Sequence, residues 1–294
     1  MEKDCLLVLN AAESRVQLIL ARVEGGFAPE AAFSHEKADG TLPAGSQAGE
    51  AEGGASSRAE LLCFQEWEAP SRGTEILPAA LEHAFRALEI PMVSLGRIAC
   101  VQGPGSFTGL RLVLSLGAAL RRATGADLAG INYMQALALG PCAEGAAFVR
   151  VLTHARRGLV HVQDFSRGAE GLPVAQGKAE VRSLEGALQG LERAAGSLCV
   201  LGSGLTRNAS ALLPSLPAGC RAVVEQGDHP CRRALIRLAL EAEAGQRDLD
   251  PLYLRPCDAV DNLPHIARRR GQDPKEADAR LLQLLRMSPK PLEE

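Results

Sequence analysis

The chain of 294 residues has few aromatic side chains and no excess of positive charge. Phe, Trp and Tyr make up 3% of the residues, which argues against a protein that reads single-stranded nucleic acid by stacking bases on aromatic rings. The formal net charge of -3 excludes a bulk basic surface. We therefore expect the chain to meet nucleic acid only together with a partner that supplies the positive charge.

Closely spaced cysteines and long apolar runs are also missing. The eight cysteines lie at least eleven residues apart, so the C-x-x-C spacing of zinc sites and redox pairs does not occur. Scattered cysteines such as Cys5, Cys100 and Cys199 are typical of small buried side chains in a reducing cytosol. No stretch approaches the roughly 18 apolar residues that span a bilayer, and the N-terminal apolar run of five is too short for a signal peptide. These features predict a cytoplasmic protein without a membrane segment.

The length and the order of predicted elements favour two lobes, because a single domain usually holds about 100 to 200 residues. Two successive series of three strands, a helix, a strand and a helix indicate a duplicated α/β architecture. The predicted N-terminal lobe covers 1–140, the C-terminal lobe 141–250 and a helical tail 251–294. Residues 21–59 are rich in Gly, Ala, Ser and Glu, and this composition predicts a disordered insertion within the first lobe.

Short apolar runs and capping residues set the predicted elements. Thr74 is the predicted N-cap of a helix that has Pro78 in its first turn. Asp228 is the predicted N-cap of a later helix, which Gly245 ends. In the tail, two helices meet at Gly271, and Asp273 is the predicted N-cap of the second. The strands are predicted over 5–9, 16–20, 61–67, 98–101, 128–131, 147–152, 159–165, 174–181 and 198–201. The remaining helices are predicted over 110–123, 134–139 and 184–194.

The glycine-rich sequence GPGSFTG over 103–109 leads from a buried strand into a helix. It lacks the lysine and hydroxyl of a Walker A loop, and its G-x-G-x-x-x-G spacing differs from the dinucleotide fingerprint. Amide groups at a helix N-terminus still attract anions, so Gly103, Gly105 and Ser106 form a possible weak phosphate site. The following helix is apolar nearly all round and should be buried on more than one side. Gly117 within it costs about 1 kcal/mol relative to Ala, which indicates close approach of either this chain's sheet or a second subunit.

GPGSFTGLR, preceded by its short strand, resembles the TsaB family, also called YeaZ, of the bacterial machinery that makes threonylcarbamoyladenosine in tRNA. The resemblance covers residues 5–256 apart from the insertion over 21–59. Four further segments occur in the order in which this family has them: TEILPAALEHAF (74–85), ARRGLVHV (155–162), GSGL (202–205) and PLYLRP (251–256).

This resemblance implies an actin-like (ASKHA, RNase H-like) two-lobe α/β fold with mixed sheets flanked by helices. It also implies a subunit without catalytic residues, metal or cofactor of its own, which pairs with the catalytic subunit TsaD and works with the ATPase TsaE. ATP or ADP would bind only at the assembled complex, and tRNA would be met through that complex. The family pairs through the helices around 74–88 and 108–122, which implies an interface of Leu77, Leu81, Phe107, Leu110, Arg111, Leu114, Gly117 and Ala118.

The chain departs from the family pattern at two places. Asn10, Ala11 and Ala12 stand where the family has an Asp-Thr-Ser turn, and the acid of that turn orders magnesium in actin-like ATPases. His154 replaces the acid of the Asp-Ala-Arg segment, and Leu159 its later glutamate. Both changes lower the expectation of chemistry in the cleft.

Two alternatives remain open at this point. One is a metallopeptidase-like or ATP-hydrolysing enzyme of the same fold. Against a metal site, the six histidines include no pair four residues apart, so no two imidazoles share a helical face in the manner of the TsaD metal pair. The other alternative is a homodimer that uses the same helices.

Overall fold

The structure is a computed structural model that describes residues 2–25, 27, 59–69, 72–255, 260 and 262–287. Most of the predicted insertion over 21–59 lies outside the described residues. The chain forms two compact units, Met1–Leu252 and Tyr253–Glu294.

The described strands are β1 (Cys5–Asn10), β2 (Arg15–Val23), β3 (Ala59–Glu68), β4 (Leu95–Gly103), β5 (Asp127–Asn132), β6 (Phe148–Arg156), β7 (Leu159–Arg167), β8 (Pro173–Ala175), β9 (Glu180–Ser183), β10 (Leu198–Leu201), β11 (Arg221–Val223) and β12 (Ala244–Gly245). The described α-helices are α1 (Gly73–Ala87), α2 (Phe107–Thr124), α3 (Tyr133–Ala138), α4 (Ser203–Arg207), α5 (Ala209–Leu212), α6 (Arg232–Glu241), α7 (Leu263–Arg269) and α8 (Pro274–Met287).

Two mixed sheets with the same topology form the larger unit. The first has the strand order β12-β5-β4-β1-β2-β3, and the second β11-β10-β6-β7-β8 with β9 also paired to β7. In the first sheet β1 is antiparallel to β2 and parallel to β4, which is parallel to β5. In the second sheet β6 is antiparallel to β7 and parallel to β10, which is parallel to β11. This repeat is the RNase H-like arrangement, so the predicted actin-like two-lobe fold with mixed sheets flanked by helices is confirmed.

The central strand β1 explains why the first lobe needs helices on both faces. All six of its residues are buried, and alternate residues point to opposite faces of a sheet. Leu7 and Leu9 pack with the apolar stripes of α1 and α2. Leu6 and Val8 pack in a second cluster with residues of α3 and α6. Helix α6 follows the second sheet in the chain, so its packing on the first sheet joins the two lobes.

Gly117 brings α2 close to its own sheet. A Cβ atom at this position would lie 2.5 Å from the Cys100 Sγ atom of β4 and 3.4 Å from a methyl group of Leu128 in β5. Real Cβ atoms do not approach sulfur this closely. The sheet of this chain therefore accounts for the glycine, and the interpretation that a second subunit requires it is corrected.

Two predicted elements of the second lobe differ in the structure because of glycine and one buried arginine. The predicted strand 174–181 is interrupted at Gly177, which has a φ of +97°, and becomes the short strands β8 and β9. The predicted helix 184–194 is a pair of 3₁₀ segments, Gly186–Leu188 and Leu191–Ser197. The buried Arg150 guanidinium donates to the carbonyl oxygens of Ala187 and Gln189, which a regular helix would engage itself.

The predicted caps in the larger unit are wrong, whereas the tail follows its prediction. Thr74 lies inside α1, which begins at Gly73, and Asp228 accepts from His229 instead of capping α6, whose N-cap is Cys231. Gly245 pairs with β5 in β12 because α6 already ends at Glu241. In the tail, Gly271 has a φ of +67° between α7 and α8, and the carboxylate of Asp273 accepts from the Lys275 amide.

Among the described helices, none combines the length and the apolar character needed to cross a bilayer.

We predict that Gly117→Ala lowers the free energy of unfolding by about 1 to 3 kcal/mol, although alanine is the better helix former. The added methyl group would push α2 off Cys100. Ser115→Ala, on the exposed side of the same helix, is the matched control and should be neutral within about 0.5 kcal/mol. Urea denaturation measures both variants, and a Gly117→Ala protein as stable as wild type would contradict this packing.

Candidate functional site

The GPGSFTG loop packs directly on the turn that follows β1. The Ser106 amide donates to the Ala12 carbonyl oxygen at 2.5 Å. A Cβ atom at Gly105 would overlap the Ala12 carbonyl group, and one at Gly109 would overlap that of Ala11. These two glycines are therefore required by the close approach of two backbones.

The residues of the predicted phosphate site have contacts within this packing. Gly103 adopts a φ of +119° at the end of β4, and Gly105 lies against Ala12. The Ser106 hydroxyl accepts from the Gly109 amide at 3.3 Å and so caps α2. The amide and the hydroxyl of Ser106 thus both form hydrogen bonds within the chain. Phosphate binding by this loop stays a prediction without further structural support.

The GSGL turn of the second lobe repeats this arrangement. Gly202 follows β10 with a φ of +112°, and a Cβ atom there would overlap the carbonyl group of Leu152 in β6. A Cβ atom at Gly204 would lie 2.9 Å from a methyl group of Val160 and 3.0 Å from the Leu152 carbonyl group. The strands β10 and β6 correspond to β4 and β1 of the first sheet. Each lobe thus carries a glycine turn packed on the adjoining parallel strand, at equivalent places in the duplicated topology.

Glu13 and Ser203 join the two lobes across the cleft. The Ser203 hydroxyl donates to a Glu13 carboxylate oxygen at 2.6 Å, and the amide of His154 donates to the same hydroxyl at 2.9 Å. The adjoining cavity has a volume of about 40 Å³, close to the space of one small polar molecule. Its lining consists of Glu13, Ser14, Arg15, Tyr133, Ser203, Thr206, Arg207, Asp228 and His229.

Burial dominates the electrostatics of this cleft. Removal from water raises the pKa of Glu13 from 4.5 to about 7, although the Ser203 hydrogen bond and the charge of Arg207 favour the ionised form. Burial likewise raises the pKa of Tyr133, whose hydroxyl donates to the Asp228 carbonyl oxygen at 3.2 Å. The carboxyl group occupies the space between the two glycine turns and, in its ionised form, would repel a phosphate group placed there.

Asn10, which stands where actin-like ATPases have an acid, is tied into the fold. Its side-chain oxygen accepts from the Ala12 amide, and its Nδ2 group donates to Gln17 at 2.8 Å. Gln17 in turn donates to the Pro230 carbonyl oxygen and to Glu66. The Asn10 side chain is buried and offers a neutral amide that is already hydrogen-bonded. The residues at this position do not fit a magnesium-bound nucleotide, because the anionic ligand for the metal is missing.

The structure buries five of the eight predicted interface residues in the chain's own core, which corrects that part of the prediction. The five pack against the sheet because the apolar stripe of each helix faces it. They are Leu77, Leu81, Leu110, Leu114 and Gly117. Phe107 and Ala118 are half-buried, and Arg111 is exposed with its guanidinium 4.0 Å from the centre of the Phe107 ring.

The outer side of the same two helices presents a different set of residues. On α2, exposed side chains recur every three or four residues, and α1 has a similar row. We call this surface the α1–α2 face. It comprises Glu75, Ala79, Glu82, Arg86, Thr108, Arg111, Ser115 and Ala119.

The described residues contain no group of three or more His, Cys, Asp or Glu side chains that could hold a metal ion. His161 is buried in β7 with its Nδ1 atom 3.1 Å from the hydroxyl of Thr153 on β6. His154 lies opposite Val160 in the same ladder.

Sequence reasoning missed the Glu13–Ser203 contact and the Arg150–Asp164 ion pair. Arg150 binds both carboxylate oxygens of Asp164, at 2.6 and 2.7 Å. Ser203 could have been found from its place between two glycines. Glu13 carries no such signal, because only the tertiary structure places its turn opposite the second lobe.

Two lobes of RNase H-like topology, with glycine turns facing each other across a cleft, define the class of actin-like α/β proteins. Residues 68–192, less than half of the chain, match the family model described as TsaD: tRNA N6-adenosine threonylcarbamoyltransferase. Among proteins with curated descriptions, none matches the chain.

Two solved structures from Pseudomonas aeruginosa share the fold. An uncharacterised protein with similarity to peptidase YeaZ is 19% identical over 87% of this chain and 100% of that chain, with a TM-score of 0.61. YeaZ is 18% identical over 85% of this chain and 100% of that chain, with a TM-score of 0.60. These structures confirm the fold that the resemblance to the TsaB (YeaZ) family implies, and the family model shows that residues 68–192 are similar to TsaD.

We predict that Glu13 makes the protein less stable as the pH rises. Its folded pKa lies above its ordinary value, so the stability it contributes is complete below about pH 4.5 and is lost through pH 7. Glu13→Gln keeps the shape without the charge. The free energy of unfolding of the variant minus that of wild type should therefore be about 1 to 3 kcal/mol larger at pH 8 than at pH 5.

Chemical denaturation at both pH values measures this difference. Glu225→Gln, which changes an exposed carboxylate, is the matched control and should follow the wild-type pH profile. If Glu13→Gln and wild type lose stability equally between pH 5 and pH 8, Glu13 does not titrate in the cleft as described.

Proposed function

We propose that the chain is a non-catalytic subunit in the formation of threonylcarbamoyladenosine in tRNA, and that it activates a TsaD catalytic subunit by pairing with it in the cytoplasm. The match of residues 68–192 to the TsaD family and the shared YeaZ fold support the pathway. The observation that carries the non-catalytic role is the hydrogen bond between Glu13 and Ser203, which fills the cleft with the chain's own carboxyl group.

A filled cleft disfavours the alternative of an ATP-hydrolysing enzyme. Phosphoryl transfer needs a metal ion and groups that stabilise charge on the transferred phosphate. Here Asn10 is a neutral amide and Glu13 adds negative charge when ionised. We infer that ATP or ADP binds only at the assembled complex, where TsaD and the ATPase TsaE supply further groups.

The α1–α2 face fits a helical partner. Ser115 and Ala119 lie on consecutive turns of α2 with side chains short enough to let another helix approach closely. Exposed charged residues of both signs lie on the same two helices, including Glu82, Arg86 and Arg111, which suits a polar rim around a small apolar centre. An interface of this kind buries about 1,600 Å² in total. The net charge of -3 favours a partner that provides most of the contacts with tRNA.

We predict that Ser115→Glu and Ala119→Glu abolish the complex with the cognate TsaD on gel filtration. Each substitution places a longer, charged side chain at the centre of the α1–α2 face, where a partner helix would have to bury it. The content of threonylcarbamoyladenosine in tRNA should fall to background in cells whose only copy carries either variant.

Ala218→Glu is the matched control, because Ala218 is exposed in a turn away from both helices. It should leave pairing and tRNA modification unchanged, and all three variants should melt within about 3 °C of wild type. Wild-type chain that forms no complex with TsaD, or variants that pair normally, would refute the proposed interface. A homodimer that persists when TsaD is in excess would favour self-association as the working form.

A further inference from the structure

A second, larger cavity lies beside the cleft. Its volume is about 590 Å³, within the range of small-molecule sites, whereas the cavity at Glu13 has about 40 Å³. It is lined by the outer part of β3, the segment after α3, the end of β7 with the turn that follows it, and the start of α6. His229 borders both cavities, but Glu13 and Ser203 do not reach the larger one.

Four arginines line this cavity: Arg167, Arg232, Arg233 and Arg237. Within the part of the chain that the structure describes, none of them forms an ion pair with a carboxylate. Arg237 donates to the carbonyl oxygen of Glu170 at 2.7 Å, and Arg232 lies 5.6 Å from the centre of the Phe64 ring. A carbonyl group or a ring orients a guanidinium group and leaves its charge uncompensated.

The acidic residues of the lining do not balance these charges. Glu66 already binds Arg15 through one carboxylate oxygen and Gln17 through the other, both at 2.6 Å. Glu144 and Glu170 are exposed, as are three of the four arginines, so water screens charges of both signs alike, and these two glutamates are outnumbered by the four arginines. The cavity is therefore positive, in a protein whose net charge is negative.

The start of α6 adds to this positive potential. Arg232 and Arg233 occupy its first turn, which has no acidic residue, and its N-cap Cys231 makes no side-chain cap hydrogen bond. Cations at a helix N-terminus oppose the helix dipole, so this arrangement disfavours the isolated helix. An anion placed between the amide groups and the guanidinium groups would offset both effects.

Part of the lining is apolar. Phe64, Leu139, Pro141 and Pro230 provide carbon surface beside the arginines. A planar guanidinium group matches phosphate by two parallel hydrogen bonds, and a phosphomonoester dianion can accept from several such groups. The organic part of the same molecule would cover the apolar surface.

We propose that this cavity binds a phosphomonoester of about nucleotide size, with its phosphate on the arginines and its organic group against Phe64 and Leu139. The site is independent of pairing with TsaD. Its occupant is identified by the phosphate group, so two phosphomonoesters with different organic parts serve as probes: AMP and glucose 6-phosphate.

The test is isothermal titration of the full chain with AMP and glucose 6-phosphate, and with adenosine and glucose as uncharged counterparts. We expect saturable binding of at least one phosphomonoester and none of the uncharged molecules. Arg232→Gln combined with Arg233→Gln should weaken that binding at least tenfold, the effect of losing roughly 1.4 kcal/mol of interaction free energy.

Arg157→Gln combined with Arg247→Gln is the matched control, because it removes the same charge from exposed positions outside the cavity. This control should bind as wild type does, and neither double variant should melt at a lower temperature than wild type without ligand. Absence of binding by either phosphomonoester, or equal affinity in the two double variants, would overturn the proposal. It would also be overturned if tRNA bound through Arg232 and Arg233 while both phosphomonoesters failed to bind.

Discussion

The contact between the GPGSFTG loop and the turn after β1 is the constraint on which the rest of the structure depends. Gly105 and Gly109 allow two backbones to meet at Ala11 and Ala12, and no residue with a Cβ atom could replace them without moving α2. This contact directs α2 onto the sheet and fixes the turn from which Glu13 extends. The glycine loop therefore acts as a structural joint that sets both the outer helical surface and the cleft.

Because the topology is duplicated, the glycine turn packed against a neighbouring strand occurs in both lobes. Gly202 and Gly204 pack on β6 as Gly105 and Gly109 pack on the end of β1. The two glycine turns consequently face one another, and a single hydrogen bond between Glu13 and Ser203 closes the space between them. Enzymes of this fold use that space for a nucleotide phosphate, whereas here a carboxyl group from the chain lies in it. The same arrangement supports a role in which binding a partner replaces chemistry in the cleft.

Polar side chains connect this cleft to the larger cavity. Gln17 accepts from Asn10 and donates to both Glu66 and Pro230, so it joins the β1 turn to the segment before α6. Arg97 of β4 donates to the carbonyl oxygens of Ala239 and Leu240 at the other end of α6. Helix α6 is thus held at both ends by the first lobe, which positions Arg232 and Arg233 at the mouth of the cavity. The polar residues of the sheet shape a binding surface that is distant from them in sequence.

The sequence by itself determined most strands of both lobes, the apolar helix α2 and the helical tail, because the spacing of apolar residues and the capping of α8 by Asp273 are local properties. It also indicated the family, since GPGSFTGLR and the GSGL turn reflect backbone contacts that only glycine permits. Only the tertiary structure decided which side of α1 and α2 is exposed and that Gly117 faces Cys100. It also decided that two carbonyl groups of the predicted helix over 184–194 accept hydrogen bonds from Arg150. The meeting of Glu13 with Ser203, 190 residues away, and the gathering of four arginines around one cavity likewise depend on how the sheets pack. Burial and long-range charge are properties of that packing, and local sequence does not encode them.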